Sequence, residues 1–365
     1  MSRRRLPPEV FALPVQRIRE GYYSDAYFNG AKRVLETQDL HPRVTMQVFQ
    51  KTDGAVLGGV DEALAILRLC AGRFEAGDPE LTWMPGWDDL VVHALRDGDD
   101  LAAWETMLTI EGDFSLFAHL ETVYLGALSR RTLIATNVRR VVEAAGGKPI
   151  LFFPARFDHY RVQTGDGYAA HVAGAIGVST DAQASWWGGK GIGTVPHALI
   201  AACGGDTVEA TRRFADLSYP ETNVTALVDF DNDCVATSLA CARALGERLW
   251  GVRLDTSETL VDRSLWGDMG AFRPTGVAPE LVHAVRRGLD DEGFRQVHIV
   301  VSGGFDAERI RRFEAAGVPA DAYGVGSSLL RGATDFTADV VRLEGRPCAK
   351  VGRVHRPNPR LELVR

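Results

Sequence analysis

The sequence has 365 residues, of which 24% are charged and 45% hydrophobic, and its net charge at pH 7 is −7. A chain of this length can form one large domain or two of medium size. The negative charge argues against general nucleic-acid binding, for which a basic face is expected. The basic start is followed by no apolar signal segment, and no apolar run approaches membrane-spanning length. Neither secretion nor membrane insertion is therefore predicted.

The cysteines are few, scattered and odd in number: they are Cys70, Cys203, Cys234, Cys241 and Cys348. No Cys-x-x-Cys pair occurs, so the spacing indicates neither a zinc site nor a disulfide framework. A reducing cytoplasm suits this cysteine usage best.

The first part of the chain mixes strand and helix patterns irregularly. Alternating apolar residues over 44–48 predict a strand, and a helix is expected over 61–69. Ser115 is a candidate N-cap for a later helix, and a separate helix is expected to carry residues 139–140. These elements predict an α+β domain with an antiparallel sheet over residues 1–145.

Residues 146–340 have a regular rhythm of short apolar runs and helical segments. The predicted strands are residues 149–154, 174–179, 192–197, 225–230, 249–255, 297–302 and 322–325. Repeated strand–helix units imply parallel strands joined by right-handed crossovers. About seven such strands predict an incomplete α/β barrel, although an open doubly wound sheet would give the same rhythm. In both folds the chemistry belongs at the carboxyl ends of the strands.

Two loops of small residues follow the last two predicted strands. Ser302-Gly303-Gly304 ends one strand, and Gly324-Val325-Gly326-Ser327 ends the next. Small residues let backbone N–H groups approach a phosphate closely, and the following helix start adds a favourable dipole. Paired glycines also occur in simple turns. Two consecutive loops of this kind favour a phosphate ligand.

Charged residues end other strands of the same series. Asp229 and Asp255 are suited to hold sugar hydroxyls or Mg²⁺, but each is equally an ordinary helix cap. Arg253 lies on the same strand face as Asp255 and suits a planar carboxylate, or else pairs internally with Asp255. His197 is either functional or an ordinary core or cap histidine.

Together these residues resemble the nicotinate phosphoribosyltransferases, part of the type II phosphoribosyltransferase group, and in particular their archaeal-like subgroup. The similar segments follow in family order from Arg17 to about Arg353: they are residues 21–28 (GYYSDAYF), 110–113 (IEGD), 120–122 (LET), 134–136 (IAT) with Arg140, 193–197 (GTVPH), 228–229, 253–255 (RLD), 301–304 (VSGG), 324–327 (GVGS) and 345–350 (GRPCAK). Each segment is weak evidence alone, but the common order over most of the chain is specific.

The resemblance implies an N-terminal domain (1–145) packed on an incomplete α/β barrel (146–340), with a tail (341–365) that packs back on the first domain. It implies a homodimer with shared active sites, in which Tyr27 of one subunit and Phe153 of the other sandwich a pyridine ring.

The resemblance also assigns roles around that ring. Arg253 would bind the nicotinate carboxylate, while Arg140 and Arg156 would hold phosphate groups of phosphoribosyl pyrophosphate (PRPP). Asp229 and Asp255 would orient the ribose and Mg²⁺. The remaining residues form two groups: Ser179 and Thr194 contact the substrate, and Ser302, Gly303, Gly304, Gly324, Gly326 and Ser327 hold the 5′-phosphate.

The implied reaction joins nicotinate and PRPP to give nicotinate mononucleotide and pyrophosphate in NAD synthesis. His197 matches a histidine that is phosphorylated in ATP-coupled members, so ATP use stays open, particularly because Pro196 and Ala198 flank it as in the archaeal-like subgroup. After Asp255 the chain reads Thr-Ser-Glu, where the family commonly reads Ser-Gly-Asp. Only Cys348 remains of the cysteine-rich zinc module that ends some relatives, so no zinc is expected.

Ser179 favours nicotinate over nicotinamide. Relatives that use nicotinamide carry an aspartate in the corresponding loop, and a carboxylate there would repel the carboxylate of nicotinate. Like charges about 4 Å apart cost several kcal/mol at an effective dielectric near 20. Asp181 lies two residues away, so this inference depends on the alignment register.

Three alternatives remain. A quinolinate or nicotinamide phosphoribosyltransferase shares the architecture, although no Lys/Arg-rich run of the quinolinate enzymes is present. A phosphate-binding barrel aldolase or isomerase would need a strand-end lysine or general base, and the predicted strand ends carry no lysine. The third is a non-catalytic protein that binds a mononucleotide.

Overall fold

The computed structural model describes residues 4–75, 82–270 and 272–365. The chain divides into two compact units. The first, here called the sheet unit, comprises Met1–Thr136 and Gly332–Arg365. The second, the barrel unit, comprises Asn137–Arg331. The C-terminal residues thus belong to the same unit as the N-terminal ones.

The sheet unit contains a six-stranded antiparallel sheet with the strand order β15-β14-β1-β7-β5-β16. Two smaller two-stranded sheets pair β2 with β6 and β3 with β4. The strands are β1 (Arg43–Gln50), β2 (Ala55–Val56), β3 (Gly72–Phe74), β4 (Trp83–Pro85), β5 (Val91–Ala94), β6 (Asp100–Leu101), β7 (Leu108–Asp113), β14 (Phe336–Leu343), β15 (Arg346–Pro347) and β16 (Glu362–Leu363). The helices are α1 (Val15–Arg19), α2 (Ala26–Thr37), α3 (Val60–Cys70) and α4 (Glu121–Ala144), the last of which continues past Thr136. The antiparallel sheet predicted for this part is confirmed.

Strand β1 is buried along nearly its whole length because both of its faces are covered. Val44, Met46 and Val48 belong to the main apolar core of the unit. On the other face, Gln47 is bonded to the C-terminal segment: its Nε2 donates to the carbonyl of Val354 at 2.9 Å. The alternation in the sequence therefore marks a strand with two buried faces.

Two helix expectations were wrong in detail. A single helix, α4, spans Glu121–Ala144 where two helices were expected. Ser115 does not cap it, because Ser115 lies in a short 3-10 turn whose cap is Asp113. The carboxylate of Asp113 accepts the backbone N–H of Ser115 at 2.9 Å. The Ser115 signal therefore placed the helix start at residue 116, five residues before its actual start at Glu121.

The described part of the barrel unit contains six parallel strands: β8 (Ile150–Phe152), β9 (Gly177–Val178), β10 (Thr225–Leu227), β11 (Gly251–Leu254), β12 (His298–Val301) and β13 (Ala322–Val325). Their order in the sheet is β10-β11-β12-β13-β8-β9. The helices of this unit are α5 (Gln163–Val172), α6 (Asp181–Ala184), α7 (His197–Ala202), α8 (Thr207–Ser218), α9 (Cys234–Leu245), α10 (Pro279–Asp291) and α11 (Ala307–Ala315). The predicted parallel α/β architecture is confirmed.

The strand predicted over residues 192–197 is not a regular strand. Its backbone makes one hydrogen bond to each edge of the sheet: Ile192 N donates to Val178 O at 2.7 Å, and Val195 N donates to Thr225 O at 3.1 Å. A strand needs a continued ladder to one neighbour, and glycine and proline interrupt this segment. The segment bridges β9 and β10, so the six strands form an incomplete barrel.

Within the described part of the chain, no helix is both long enough and apolar enough to cross a membrane.

His119 is a fully buried histidine of the sheet unit. Burial, together with the nearby Lys32 ammonium, lowers the pKa of His119 to about 3. The histidine is ordinarily protonated below a pKa of about 6.5 in an unfolded chain, so its contribution to stability is present above that pH and is lost as the pH falls toward 3.

We therefore expect the free energy of unfolding to fall by about 2 kcal/mol between pH 6.5 and pH 5 through His119 alone. His119→Leu should remove this part of the pH dependence, measured by urea unfolding at the two pH values. Leu116→Ala, which opens a cavity in the same core but removes no titratable group, should lower stability equally at both. The same pH dependence in His119→Leu as in the unmodified protein would contradict the prediction.

Candidate functional site

The carboxyl ends of the barrel strands surround two adjoining cavities that contain most of the candidate residues. One cavity has a volume of about 290 Å³ and the other about 540 Å³, and both are lined by Phe153, Arg156, Arg253 and Asp255. The smaller cavity adds Ser302, Gly303, Gly304, Gly324, Gly326 and Ser327. The larger cavity adds Ser179, Thr194 and His197. Residues from six separate strand ends or loops thus meet at one edge of the sheet, as a parallel barrel requires.

Arg253, at the end of β11, is the centre of a hydrogen-bond network. Its Nε donates to Ser302 Oγ at 2.8 Å, its Nη1 to Thr194 Oγ1 at 3.1 Å and its Nη2 to Asp255 Oδ2 at 3.0 Å. Ser302 Oγ in turn donates to Asp255 Oδ1 at 2.7 Å. The expected pair between Arg253 and Asp255 therefore exists, and it is part of a larger network. Because guanidinium has five N–H groups, two remain for a ligand.

Phe153 presents a flat face beside this arginine. The Arg253 guanidinium carbon lies 5.5 Å from the centre of the Phe153 ring. Gly324 also lies next to the Phe153 ring: a Cβ atom added to Gly324 would lie 2.8 Å from Phe153 Cδ2 and 3.2 Å from Ser302 Cβ. Gly324 was expected to bind phosphate, and the structure gives it a second role, since its missing side chain leaves the space that the aromatic ring occupies.

His197, which lines the larger cavity, pairs with Asp229, which lies behind it and lines neither cavity. His197 Nε2 lies 3.0 Å from Asp229 Oδ1, and the histidine side chain is 46% exposed while that of the aspartate is 8% exposed. Burial raises the pKa of Asp229, His197 opposes this shift and Asp255 adds to it. Asp229 and Asp255 do not cap the next helices, because Asp233 caps α9 and Asp262 caps the following turn. His197 is therefore not a core histidine but an accessible one, held by a buried carboxylate.

The two glycine-containing loops expose backbone donors to the smaller cavity. Within the part of the chain that the structure describes, the N–H groups of Gly303, Gly304 and Gly326 donate to no protein acceptor. Arg331 and Arg156 line the same cavity. Free N–H groups next to arginine side chains are the arrangement that binds phosphate oxygens. We refer to the loops 302–304 and 326–328 as the phosphate cradle.

Ser179 is held by a residue that the sequence did not indicate. Gln183 Oε1 accepts both the backbone N–H of Ser179 at 3.0 Å and its hydroxyl at 3.1 Å. Gln183 itself is buried, and a Cβ atom on Gly167 of α5 would come within 2.2 Å of its carbonyl oxygen. The position of Ser179 is therefore determined by close packing of α6 against α5.

Three candidate residues line neither cavity: Asp229, which contacts His197, and Arg140 and Tyr27. Arg140 is exposed on α4 and lines neither cavity. Tyr27 belongs to the sheet unit, where its side chain is 67% exposed and its hydroxyl lies 3.4 Å from Asp25 Oδ2. Sequence reasoning also missed Arg309, Arg331 and Gln183, since none of them is part of a recognisable motif or strand end.

No group of three or more His, Cys, Asp or Glu side chains in residues 4–75, 82–270 and 272–365 is arranged to hold a metal ion by itself. A metal at Asp229 and Asp255 would thus need further ligands from a substrate. All five cysteines are free thiols.

Comparison with known proteins supports a single family. Residues 25–132 match the family model described as quinolinate phosphoribosyl transferase, N-terminal domain. A nicotinate phosphoribosyltransferase of Mycobacterium tuberculosis is 31% identical over 253 residues, which cover 67% of this chain and 52% of that protein. A nicotinate phosphoribosyltransferase of Bacillus subtilis is 23% identical over 300 residues, which cover 76% of this chain and 55% of that protein. The chain spans about half the length of the curated relatives it matches.

Solved structures match over a larger part of the chain. The nicotinate-nucleotide pyrophosphorylase from Pyrococcus furiosus is similar with a TM-score of 0.77 and 31% identity, covering 96% of this chain and 84% of that one. Human nicotinic acid phosphoribosyltransferase has a TM-score of 0.62 at 16% identity, covering 89% and 76%, and shows a common fold. The chain belongs to the type II phosphoribosyltransferase family, as its sequence motifs indicated.

Gly324 offers a direct test of how the aromatic face is built. Gly324→Ala should push the Phe153 ring out of place, because the new Cβ atom would overlap ring atoms. We expect the affinity for nicotinate, measured by calorimetry, to fall by about tenfold, which corresponds to about 1.4 kcal/mol. Gly267→Ala is the matched control, since a Cβ atom there meets nothing within 4 Å. Equal affinities for the two variants would show that Phe153 does not hold the ring.

Proposed function

We propose that this protein transfers the phosphoribosyl group of PRPP to nicotinate, giving nicotinate mononucleotide and pyrophosphate. The observation that carries the proposal is the contact between the two cavities: a phosphate cradle adjoins an aromatic face and an arginine, with Phe153 and Arg253 lining both. A substrate with a phosphate at one end and an aromatic acid at the other fits this arrangement. The names of the curated relatives support nicotinate as the acid.

In the proposed reaction the lone pair of the pyridine nitrogen forms a bond to C1 of the ribose. The bond from C1 to pyrophosphate breaks, and the pyrophosphate leaves with the electron pair. No protein nucleophile is needed, so the residues act by positioning and by electrostatics. Phe153 supports the ring, and the two N–H groups of Arg253 that the network leaves unused hold the carboxylate.

The phosphate groups of PRPP are proposed to bind at opposite sides of the ribose. The phosphate cradle is proposed to bind the 5′-phosphate through the N–H groups of Gly303, Gly304 and Gly326. Ser327, in the second loop of the cradle, would contact the same phosphate. Arg156 is exposed and lines both cavities, so its guanidinium group is available to bind the pyrophosphate. Asp229 and Asp255 lie where the ribose hydroxyls would be oriented.

Mg²⁺ fits the acidic pair. Asp255 raises the pKa of Asp229, so the two carboxylates are near enough to repel each other, and a divalent cation would offset that repulsion. Asp229 and Asp255 would hold the ion together with substrate oxygens, since Mg²⁺ usually keeps few protein ligands. When bound, it would neutralise charge on the leaving pyrophosphate.

A homodimer with shared sites is part of the proposal. Three exposed tyrosines crowd the segment 21–28 of the sheet unit: they are Tyr22, Tyr23 and Tyr27, with exposures of 64%, 45% and 67%. Exposed aromatic side chains in one patch are typical of an interface. We propose that Tyr27 reaches the ring bound at Phe153 of the partner subunit, and that the exposed Arg140 contributes to phosphate binding.

The free thiols support a cytoplasmic location.

The direct test is product analysis. Purified protein is mixed with PRPP and Mg²⁺, and nicotinate, nicotinamide or quinolinate is supplied in separate reactions. Mononucleotide and pyrophosphate from nicotinate support the proposal. Product from quinolinate or nicotinamide instead would assign the alternative activity. No product from any of the three would favour a non-catalytic protein that binds a mononucleotide.

Ser179→Asp tests the choice of ring. The new carboxylate would meet the ligand carboxylate, and Gln183 Oε1, which now accepts from Ser179, would offer it no hydrogen. We expect KM for nicotinate to rise by about tenfold or more, in line with the cost of placing like charges together. Ser185→Asp, at an exposed position directly after α6, is the control. Unchanged nicotinate kinetics in Ser179→Asp would remove the specificity argument.

His197→Ala tests ATP coupling. His197 is accessible and is held by Asp229, so it is suited to accept a phosphate from ATP. We expect the reaction to be stimulated by ATP in the unmodified protein and not in His197→Ala, with basal activity retained in both. His197→Asn preserves a polar group near Asp229 and should behave like His197→Ala. ATP stimulation that survives both substitutions would refute this role.

A further inference from the structure

Arg309, on α11, lies directly behind the phosphate cradle. Its Nη1 donates to the carbonyl of Gly303 at 2.7 Å, and its Nη2 donates to the carbonyl of Val277 at 2.9 Å. The guanidinium carbon lies 4.3 Å from the ring centre of Phe305. Burial lowers the pKa of Arg309. This arginine is therefore a partly desolvated group with fixed partners, and it lines neither of the two cavities.

The hydrogen bond to Gly303 determines where the next N–H group points. A trans peptide is planar, so its carbonyl and its N–H point in opposite directions. Because Arg309 holds the Gly303 carbonyl on the buried side, the Gly304 N–H is turned to the other side, where the smaller cavity lies. That N–H has no acceptor in the described part of the protein.

The peptide between Gly303 and Gly304 needs such an anchor more than most. Both residues have positive φ, 85° and 70°, which only glycine adopts freely. A Gly-Gly peptide has no Cβ atom to oppose its rotation, so alternative orientations differ little in energy. A hydrogen bond from a charged donor is stronger than one from a neutral donor and is enough to select one of them.

Glu258 explains why the donor to the Gly303 carbonyl is a positively charged side chain. Its carboxylate lies at the edge of the cradle: Oε1 is 3.6 Å from Arg309 Nη1, and it is 2.1 Å from the position that a Cβ of Gly304 would occupy. A carboxylate next to a phosphate site is unfavourable unless a cation offsets it. Arg309 supplies that cation while it holds the backbone.

We propose that Arg309 is a positioning residue for phosphate binding, which acts through the Gly303–Gly304 peptide and does not touch the ligand. The inference rests on the proposed function for the identity of the phosphate, as the 5′-phosphate of PRPP. The role itself requires only that the cradle binds a phosphate group.

The test compares four variants of the full chain with the unmodified protein. Arg309→Met keeps an unbranched aliphatic side chain but removes both carbonyl bonds, and Arg309→Lys keeps the charge and one donor. Arg312→Met is the charge control on the same helix, since its side chain is 69% exposed. Ile310→Val is the stability control, because it removes a buried methyl group away from the cradle. Inorganic phosphate is titrated into each by calorimetry, and KM and kcat are measured with PRPP.

Arg309→Met should weaken phosphate binding and raise KM for PRPP by about tenfold, equivalent to about 1.4 kcal/mol. KM for nicotinate and kcat should change much less, because the ring and the reacting atoms are contacted by other residues. Arg309→Lys should recover part of the affinity. Arg312→Met should bind phosphate like the unmodified protein, and Ile310→Val should unfold at a lower temperature without losing phosphate affinity.

Unchanged phosphate affinity in folded Arg309→Met would overturn the inference. So would a loss in Ile310→Val as large as in the arginine variants, since the effect would then be one of stability. If the unmodified protein binds phosphate but makes no mononucleotide, the proposed function fails, and the titrations still decide the role of Arg309. An unmodified protein that binds no phosphate would overturn both.

Discussion

The candidate site depends above all on the guanidinium group of Arg253. It joins side chains from three parts of the barrel rim, Thr194, Asp255 and Ser302, and it lies beside the ring of Phe153. A half-buried cation is costly unless it is bonded on several sides, and here each partner satisfies one of its N–H groups. The network therefore joins three segments at the edge of the barrel and leaves two N–H groups of Arg253 without a partner in it.

Much of the remaining chemistry is supplied by the backbone and by the absence of side chains. Gly324 leaves room for Phe153, while Gly303 and Gly304 adopt positive φ angles and their N–H groups donate to no acceptor in the described part of the protein. Backbone donors hold their positions without rotamer entropy, but only if the surrounding packing fixes the peptide planes. Gln183, which is buried, and Arg309, which is partly buried, each bond to a peptide group of the loops around the site.

The sequence-based predictions agree with the structure where local interactions determine an element, and they fail where distant contacts determine it. The strand Ala322–Val325 was predicted with its correct limits, because the spacing of apolar residues determines it. The expected strand at 192–197 was wrong because its length and apolar content suit a strand, whereas its hydrogen bonds go to two different edges. The helix start at Glu121 was missed because a 3-10 turn capped by Asp113 precedes it.

The sequence by itself determined the parallel α/β architecture, the family and the identity of most strand-end residues, since these follow from periodicity and from short motifs whose order is kept. Only the tertiary structure decided which of them share a cavity, that Asp229 faces His197, and that Gly324 makes space for an aromatic ring. It alone revealed Gln183 and Arg309. Their roles arise from contacts between segments that are folded against each other, and such contacts leave no periodic or local signal in the chain.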